Sequence, residues 1–505
     1  MKQNERETEE EEEEEDRVAR MSISSANKPH VLVMPMPVQG HIIPTMHFSQ
    51  KLVARGIMVT FVTVEYRVAH MRRAAEGGFG ITQLELESGG LFRMVGLDDG
   101  LPADNPRSPI DMAFMRAVES LSGALEQLIS SIDSDQSLPS VTCLVSDSYL
   151  PWTLDVALKC GIPRALFWTM SFATCCCYVS MSKIVATGHD PMLTPVTCRG
   201  ILPPTDLVVE GLPPIDPYDL PFNWEGLARE ENENTQWLRR TLESQFHRMD
   251  ETAWVISNSF QAIEAPFIDA LCNSSIIPRS KLLLLGPLCD EDVTFRGSLW
   301  QEEESQCLEW LDSQEDNSVL YISFGSIVTR AQNDIREVAE ALVACRQPFL
   351  WALRRCWDDE VRQSLSEEFF EFAKQFGKLT TWTPQLKVLS HRAVAGFLSH
   401  AGWNSTTESV TRGVPMLAWP CFLDQFTNSW EMSCVWGTGV QLMRPFCANE
   451  IEKAIKTLMR SDQTLSFRKR ASELQAASSG ASSAHFSLFV EDMFRRAAEK
   501  TPLAA

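Results

Sequence analysis

His41 is the first residue in the chain whose type and setting could do chemistry. It follows the apolar run 30–36 and a turn containing Pro37, Gln39 and Gly40. If that run is a strand, His41 lies beyond its carboxyl end, where open α/β sheets bind ligands. Imidazole titrates near neutrality and can take a proton from a hydroxyl. A lone histidine in a loop is more often structural, so this residue needs a context. The segment Ser399-His400-Ala401-Gly402-Trp403-Asn404-Ser405 offers a second kind of chemistry. It follows an apolar run and opens a helical pattern. Gly402 lets backbone approach a ligand closely, and a helix N-terminus supplies free N–H groups and a positive dipole end for a diphosphate. His400 and Ser405 add side-chain donors, and Trp382 offers a flat face for a base. Plainer readings stand beside these. Ser405-x-x-Glu408 reads equally as a capping box, Trp403 and Trp419 as core, and His391 as a structural histidine. Asp133-Ser134-Asp135 and Asp290-Glu291-Asp292 fit the string of a metal-binding Asp-x-Asp site, but both fall in polar loops and read as solvated acids. No H-E-x-x-H and no zinc-spaced Cys/His cluster occurs.

The elements that must position these residues fall into two series. The first has apolar runs at 30–36, 57–64, 141–147, 165–169, 254–259 and 282–286, with helical patterns such as 151–161 between them. The second has runs at 319–324, 349–354, 379–382, 394–399 and 416–419, then helices at 448–460, 465–476 and 483–498. Continuous apolar strands alternating with helices predict parallel sheets covered on both faces. The expected fold class is therefore α/β, two doubly wound domains facing a cleft. A proline-rich stretch, 203–221, reads as a long surface loop. The polar, acidic stretch 290–316 reads as the linker, with a short helix near 305–311.

Composition narrows the function. The chain has 505 residues and a formal net charge of −22, of which residues 1–20 carry −6 through ten acids and four bases. An acidic balance argues against a nucleic-acid partner. Seven consecutive glutamates predict a solvated, disordered tail over 1–27. That N-terminus has no apolar core of a signal peptide. The longest uncharged stretch, 165–182, holds several hydroxyls and predicts a strand and a buried helix, not a membrane span. Fourteen cysteines without a C-x-x-C pair, three of them adjacent at Cys175, Cys176 and Cys177, read as reduced thiols of a cytoplasmic protein.

The 44 residues from Trp382 to Gln425 closely resemble the signature box of plant family 1 UDP-dependent glycosyltransferases. The similarity extends over nearly all of 28–500, including Pro-x-Pro-x-Gln-Gly-His-x-x-Pro at 35–44 and Phe-Gly-Ser at 324–326. The resemblance implies the GT-B fold: two Rossmann-like domains, an N-terminal acceptor domain at 28–288, a linker at 289–317 and a UDP-sugar domain at 318–477. The helix in 478–505 is expected to pack back on the first domain. By the same resemblance Trp382 stacks on uracil, Gln385 positions it and Glu408 binds the ribose. His400, Asn404, Ser405 and Ser326 hold the diphosphate, with Gly402 and Trp403 in the same turn, and Asp424 and Gln425 meet the sugar. His41 becomes the catalytic base. Asp147, at the end of its strand, becomes the partner that orients the imidazole, as aspartate does in a Ser-His-Asp triad; Asp155 lies in a helix pattern. One departure is Ala401, where the family usually has cysteine.

The implied reaction is a metal-independent inverting transfer of glucose from UDP-glucose to a hydroxyl of a small lipophilic acceptor, by a monomer that needs no cofactor. Phe114, Met115, Tyr149, Trp152, Phe167, Trp168 and Phe222 are the expected acceptor walls. A nicotinamide-dependent oxidoreductase would need G-x-G-x-x-G after a strand, and neither 78–80 nor 437–439 supplies it. A non-catalytic binder of the same fold would be expected to lack His41 or Asp147, and both are present.

Overall fold

The computed structural model describes residues 28–500 apart from 75–80, 109–110, 187, 189, 191, 195, 197–198, 201–211, 213, 222, 224–231, 290–303, 326–331, 354–358 and 445. The acidic tail, most of the expected linker and much of the proline-rich loop therefore lie outside the described residues, as do Ser326 and Phe222.

The first sheet contains β1 (His30–Met34), β2 (Met58–Val64), β3 (Phe92–Leu97), β4 (Cys143–Asp147), β5 (Arg164–Trp168), β6 (Trp254–Ser257) and β7 (Leu282–Leu284). Its order is β3-β2-β1-β4-β5-β6-β7, and every pairing is parallel. The second sheet contains β8 (Val319–Ser323), β9 (Phe349–Ala352), β10 (Gly377–Thr380), β11 (Val394–Ser399), β12 (Met416–Ala418) and β13 (Gly439–Gln441). Its order, β10-β9-β8-β11-β12-β13, is also wholly parallel. The two-domain α/β reading holds. In each sheet the order reverses beside the first strand, between β1 and β4 and between β8 and β11. Such a reversal opens a crevice at the strands' carboxyl ends.

The continuous apolar runs form strands because both faces are covered: β1, β2, β4, β5, β8 and β11 are buried along their whole length. The uncharged stretch 165–182 divides into β5 and the buried helix Phe172–Val179, whose Ser171 caps it by accepting from the Thr174 N–H. Two strands, β3 and β13, lie outside the expected runs, and β10 sits at 377–380 instead of 379–382.

The helix Ser483–Lys500 places Phe486, Phe489, Val490 and Met493 in the same apolar cluster as Val31, Val59 and Phe61 of the first sheet. The preceding helix, Gln463–Ser478, contributes Leu474 to the core around β8 and β11. Among the described residues, no helix is long and apolar enough to cross a membrane. None of the twelve described cysteines forms a disulfide. Burial pushes the Cys175, Cys176 and Cys177 thiols up, which keeps them protonated and unreactive.

Candidate active site

His41 occupies the first turn of the helix Gln39–Ala54, directly beyond β1. Thr45 anchors that turn by donating to the His41 carbonyl at 2.7 Å. The imidazole is held on one side only. Its Nδ1 lies 2.7 Å from Oδ2 of Asp147, at the end of β4. A carboxylate on Nδ1 fixes the proton there in the neutral ring, so Nε2 keeps its lone pair for an incoming hydroxyl. Thr169 reaches the same nitrogen at 3.3 Å, and the Tyr149 ring meets the imidazole edge-on, with centroids 5.4 Å apart. Asp147 is fully buried, while the His41 side chain keeps 20% of its surface exposed.

Asp147 is itself held in place. Its Oδ1 accepts from the Tyr149 N–H at 2.9 Å. Behind it lies Arg164, whose Nε donates to Ser146 at 2.7 Å and whose Nη2 donates to the Asp147 carbonyl at 3.3 Å. Burial lowers the Arg164 guanidinium to about 10, a loss that the Asp147 charge partly offsets, and it stays cationic at neutral pH. Sequence reasoning passed over this arginine, although a cation opening an otherwise apolar strand was the available signal. Asp155 is exposed and pairs with Arg248.

Across the cleft, β11 runs through a tight turn into the helix Trp403–Thr411. Ala401 takes a left-handed conformation at φ 60°, and Gly402 is the N-cap, without a capping side chain. No N-cap side chain meets the first-turn N–H groups and no acid sits in that turn, although the Trp403 N–H lies against the Asp424 carboxyl. This is the arrangement that binds phosphate. The start at Gly402 corrects the capping-box reading: Ser405 lies inside the first turn. Glu408 instead accepts from Gln385 Nε2 at 2.6 Å, and Ser405 Oγ accepts from the same amide at 3.0 Å. Tyr321 donates to Gln385 Oε1 at 3.1 Å, completing a side-chain platform next to Trp382.

The His400 ring lies between two glycines. A Cβ at Gly325 or at Gly402 would come within 2.6 Å of it, which is why neither position tolerates a side chain. Trp403 spends its indole N–H on the Asn258 carbonyl at 2.9 Å and packs on Trp436, so its ring serves the core, as the plainer reading had it. Asn404 Nδ2 donates to the Gly40 carbonyl at 2.6 Å, one residue from His41. Asp424 accepts from Asn428 Nδ2 at 2.7 Å, and burial pushes its carboxyl up to about 6. Gln425 Oε1 accepts from the Cys421 and Phe422 N–H groups at 2.9 and 3.3 Å, which leaves its NH2 end for a ligand.

One cleft of about 310 Å3 joins these groups. His41, Trp382, Gln385, His400, Gly402, Trp403, Asn404, Ser405, Glu408, Asp424 and Gln425 all line it; Asp147 stands behind His41, and Ser326 follows the lining residue Gly325. Its first-lobe wall differs from expectation. Met115 and Tyr149 line it, but Phe114, Phe167 and Trp168 are fully buried core, and Trp152 is not on the lining. The wall is instead built by Met36, Met112, Met115 and Met170 with Trp237 and Leu238. Among the described residues, no three His, Cys, Asp or Glu side chains converge as a metal site.

Comparison with known proteins agrees with this geometry. Residues 293–474 match the family model described as UDP-glucoronosyl and UDP-glucosyl transferase. The chain is 32% identical over 486 residues to 7-deoxyloganetin glucosyltransferase of Gardenia jasminoides, covering 92% of this chain and 97% of that one. The chain belongs to the plant UDP-glycosyltransferase family. A second relative of this glycosyltransferase, (R)-mandelonitrile beta-glucosyltransferase of Prunus dulcis, is 31% identical over 463 residues, 89% of this chain and 93% of that one. Among solved structures, a UDP-glucosyltransferase from Polygonum tinctorium that glucosylates indoxyl superposes with a TM-score of 0.73 at 25% identity, covering 94% of this chain and all of that one. The glycosyltransferase thus has the two-lobed GT-B fold.

Proposed function

We propose that the protein transfers glucose from UDP-glucose to a hydroxyl of a small lipophilic acceptor, with inversion and without a metal. One observation carries this: the His41–Asp147 pair faces the uncapped helix start at Gly402 across a single cleft. In the proposed step His41 Nε2 takes the hydroxyl proton, and the oxygen attacks the anomeric carbon. The bond from that carbon to the UDP oxygen breaks, and UDP leaves with the electron pair. Asp147, backed by Arg164, stabilises the imidazolium. The helix N-terminus and His400 meet the charge that develops on the diphosphate. The platform of Gln385 and Glu408 supports uracil and ribose assignments beside Trp382, and Asp424 and Gln425 support a sugar assignment. Ser326 is assigned to the diphosphate by its place after Gly325.

Two relatives are named as glucosyltransferases of 7-deoxyloganetin and of (R)-mandelonitrile, and the methionine-lined wall suits a small lipophilic acceptor. We assign 28–288 to the acceptor, 318–477 to the donor, 289–317 to the link between them and 478–505 to the returning helix. The proposed enzyme acts as a monomer, since one chain supplies every group, and in the reducing cytoplasm, which suits free thiols.

The test is UDP release from UDP-glucose in EDTA against a panel of phenolic and terpenoid alcohols. Acceptor-dependent release is expected. The His41→Ala protein should lose roughly three or more orders of magnitude in kcat, as triad bases do, while its UDP affinity stays within about twofold. Loss of UDP affinity would make His41 a donor-site residue, and UDP-glucose binding without turnover across the panel would make the protein a binder.

A further inference from the structure

The first lobe also reaches around the donor side, at a place no part of the reaction requires. Its loop residues Val196 and Tyr218 form a small apolar cluster with Phe426 of the helix Gln425–Trp430, the Tyr218 and Phe426 rings meeting edge-on at 5.6 Å. Asn223, fully buried, stitches the loop together through the Val196 N–H and the Val196 and Tyr218 carbonyls, at 2.6–2.8 Å. The polar contacts are denser still. Thr427 donates to the Asp219 carbonyl at 2.9 Å. The Asp219 carboxylate, 1% exposed, accepts from Arg199 through both oxygens at 2.8 and 2.9 Å, and from Gln441 Nε2 at 3.2 Å. Arg199 in turn donates to Gln441 Oε1 at 2.5 Å. The bidentate ion pair therefore braces the first-lobe loop at Asp219, whose carbonyl meets Thr427 of the donor-side helix, and joins it to Gln441 of the edge strand β13.

That helix begins at Gln425, with Asp424 as its N-cap, the two residues assigned above to the sugar. We propose that Arg199 and Asp219 are positioning residues that hold Asp424 and Gln425 in register with the donor sugar; this rests on that assignment. The lobes are joined independently by the bonds from Trp403 to Asn258 and from Trp436 to Ile263, at 2.9 and 2.8 Å. Breaking the clasp therefore leaves the lobes together and loosens the loop against which the sugar-side helix rests. Trp382 and Gln385 stand on other elements, so the uracil end is untouched, while Asn428 still ties the helix to the Ala401 carbonyl of the diphosphate turn at 2.9 Å.

The experiment measures KM for UDP-glucose, Kd for UDP and melting temperature in Arg199→Ala, Arg199→Lys, Thr427→Val and Gln425→Ala proteins. Arg199→Ala should raise the UDP-glucose KM about tenfold, as loss of a bidentate charged pair does, with UDP Kd within about twofold. Arg199→Lys keeps the charge but not the planar fork, so it should recover part of the loss. Should the Arg199 variants fail to fold, Thr427→Val carries the same test more mildly. A lower melting temperature with an unchanged ratio of UDP-glucose KM to UDP Kd would overturn the clasp. An unchanged ratio in Gln425→Ala would overturn the sugar assignment itself, and the clasp with it.

Discussion

Asp424 shows how a single carboxyl can make donor binding depend on pH. Burial raises it to about 6, against the Asn428 hydrogen bond and the nearby His41, which both pull it down. In the proposed donor site its ionised form would accept hydrogen bonds from sugar hydroxyls; protonation would spend one oxygen as a donor. UDP-glucose should therefore bind more weakly as pH falls through about 6. In the Asp424→Asn protein that slope should vanish, although overall affinity is lower. Calorimetric titration of UDP-glucose between pH 5 and 8 checks this. At this scale the second-lobe lining of the cleft was legible, because its residues lie mostly within one short stretch, 382–425, with fixed spacing. The acceptor wall was not. Met36, Met112, Met115 and Met170 are far apart in the chain and carry no periodic signal, whereas the large aromatics that drew attention, Phe167 and Trp168, satisfy the core first.

Elements show a similar division. The strands with unbroken apolar runs could be read directly. β3 could not: its exposed positions alternate, and Arg93 interrupts it. β13, three residues long, is held by β12 and too short to leave a pattern. The helix Gln425–Trp430 continues into a π-helical turn, Glu431–Trp436, which the sequence did not announce. There Glu431 is fully buried, and among the described residues neither carboxyl oxygen has a hydrogen bond of ordinary geometry, with Ser171 lying nearby. Burial and the adjacent Glu264 push its carboxyl well above the ordinary range; Glu264, which accepts from the Phe172 N–H and from Ser259, is pushed up to about 8 by burial. Both carboxyls hold protons in the fold that the unfolded chain gives up near pH 4.5. Their contribution to stability is thus fully present below that pH and is lost as pH rises through about 8. Melting temperature should fall between pH 6 and 9 in the natural protein. Glu431→Gln, which cannot ionise, should flatten that fall, and an unchanged slope would refute a protonated Glu431 in the fold.

At the level of the whole molecule, the last helix belongs to the first lobe's core, though it follows the second lobe in sequence. Phe489 is fully buried against Phe48 and Trp254, with ring centroids 5.6 and 5.7 Å away. Phe489→Ala should cost about 3–5 kcal/mol, as large-to-small core changes do. The loss should appear in thermal unfolding followed by tryptophan fluorescence, while UDP binding to the folded protein at 20 °C stays unchanged. A drop in UDP affinity would show that the helix shapes the donor side instead.

The returning helix has a mechanical consequence. The chain passes from the first lobe to the second before the helix Glu304–Asp312, and goes back between the helices Gln463–Ser478 and Ser483–Lys500. A single tether would let the lobes swivel in any direction. Two backbone crossings restrict the ways in which the lobes could part. They help to keep His41 opposite the Gly402 turn, as the Asn404 bond to the Gly40 carbonyl does at the site itself.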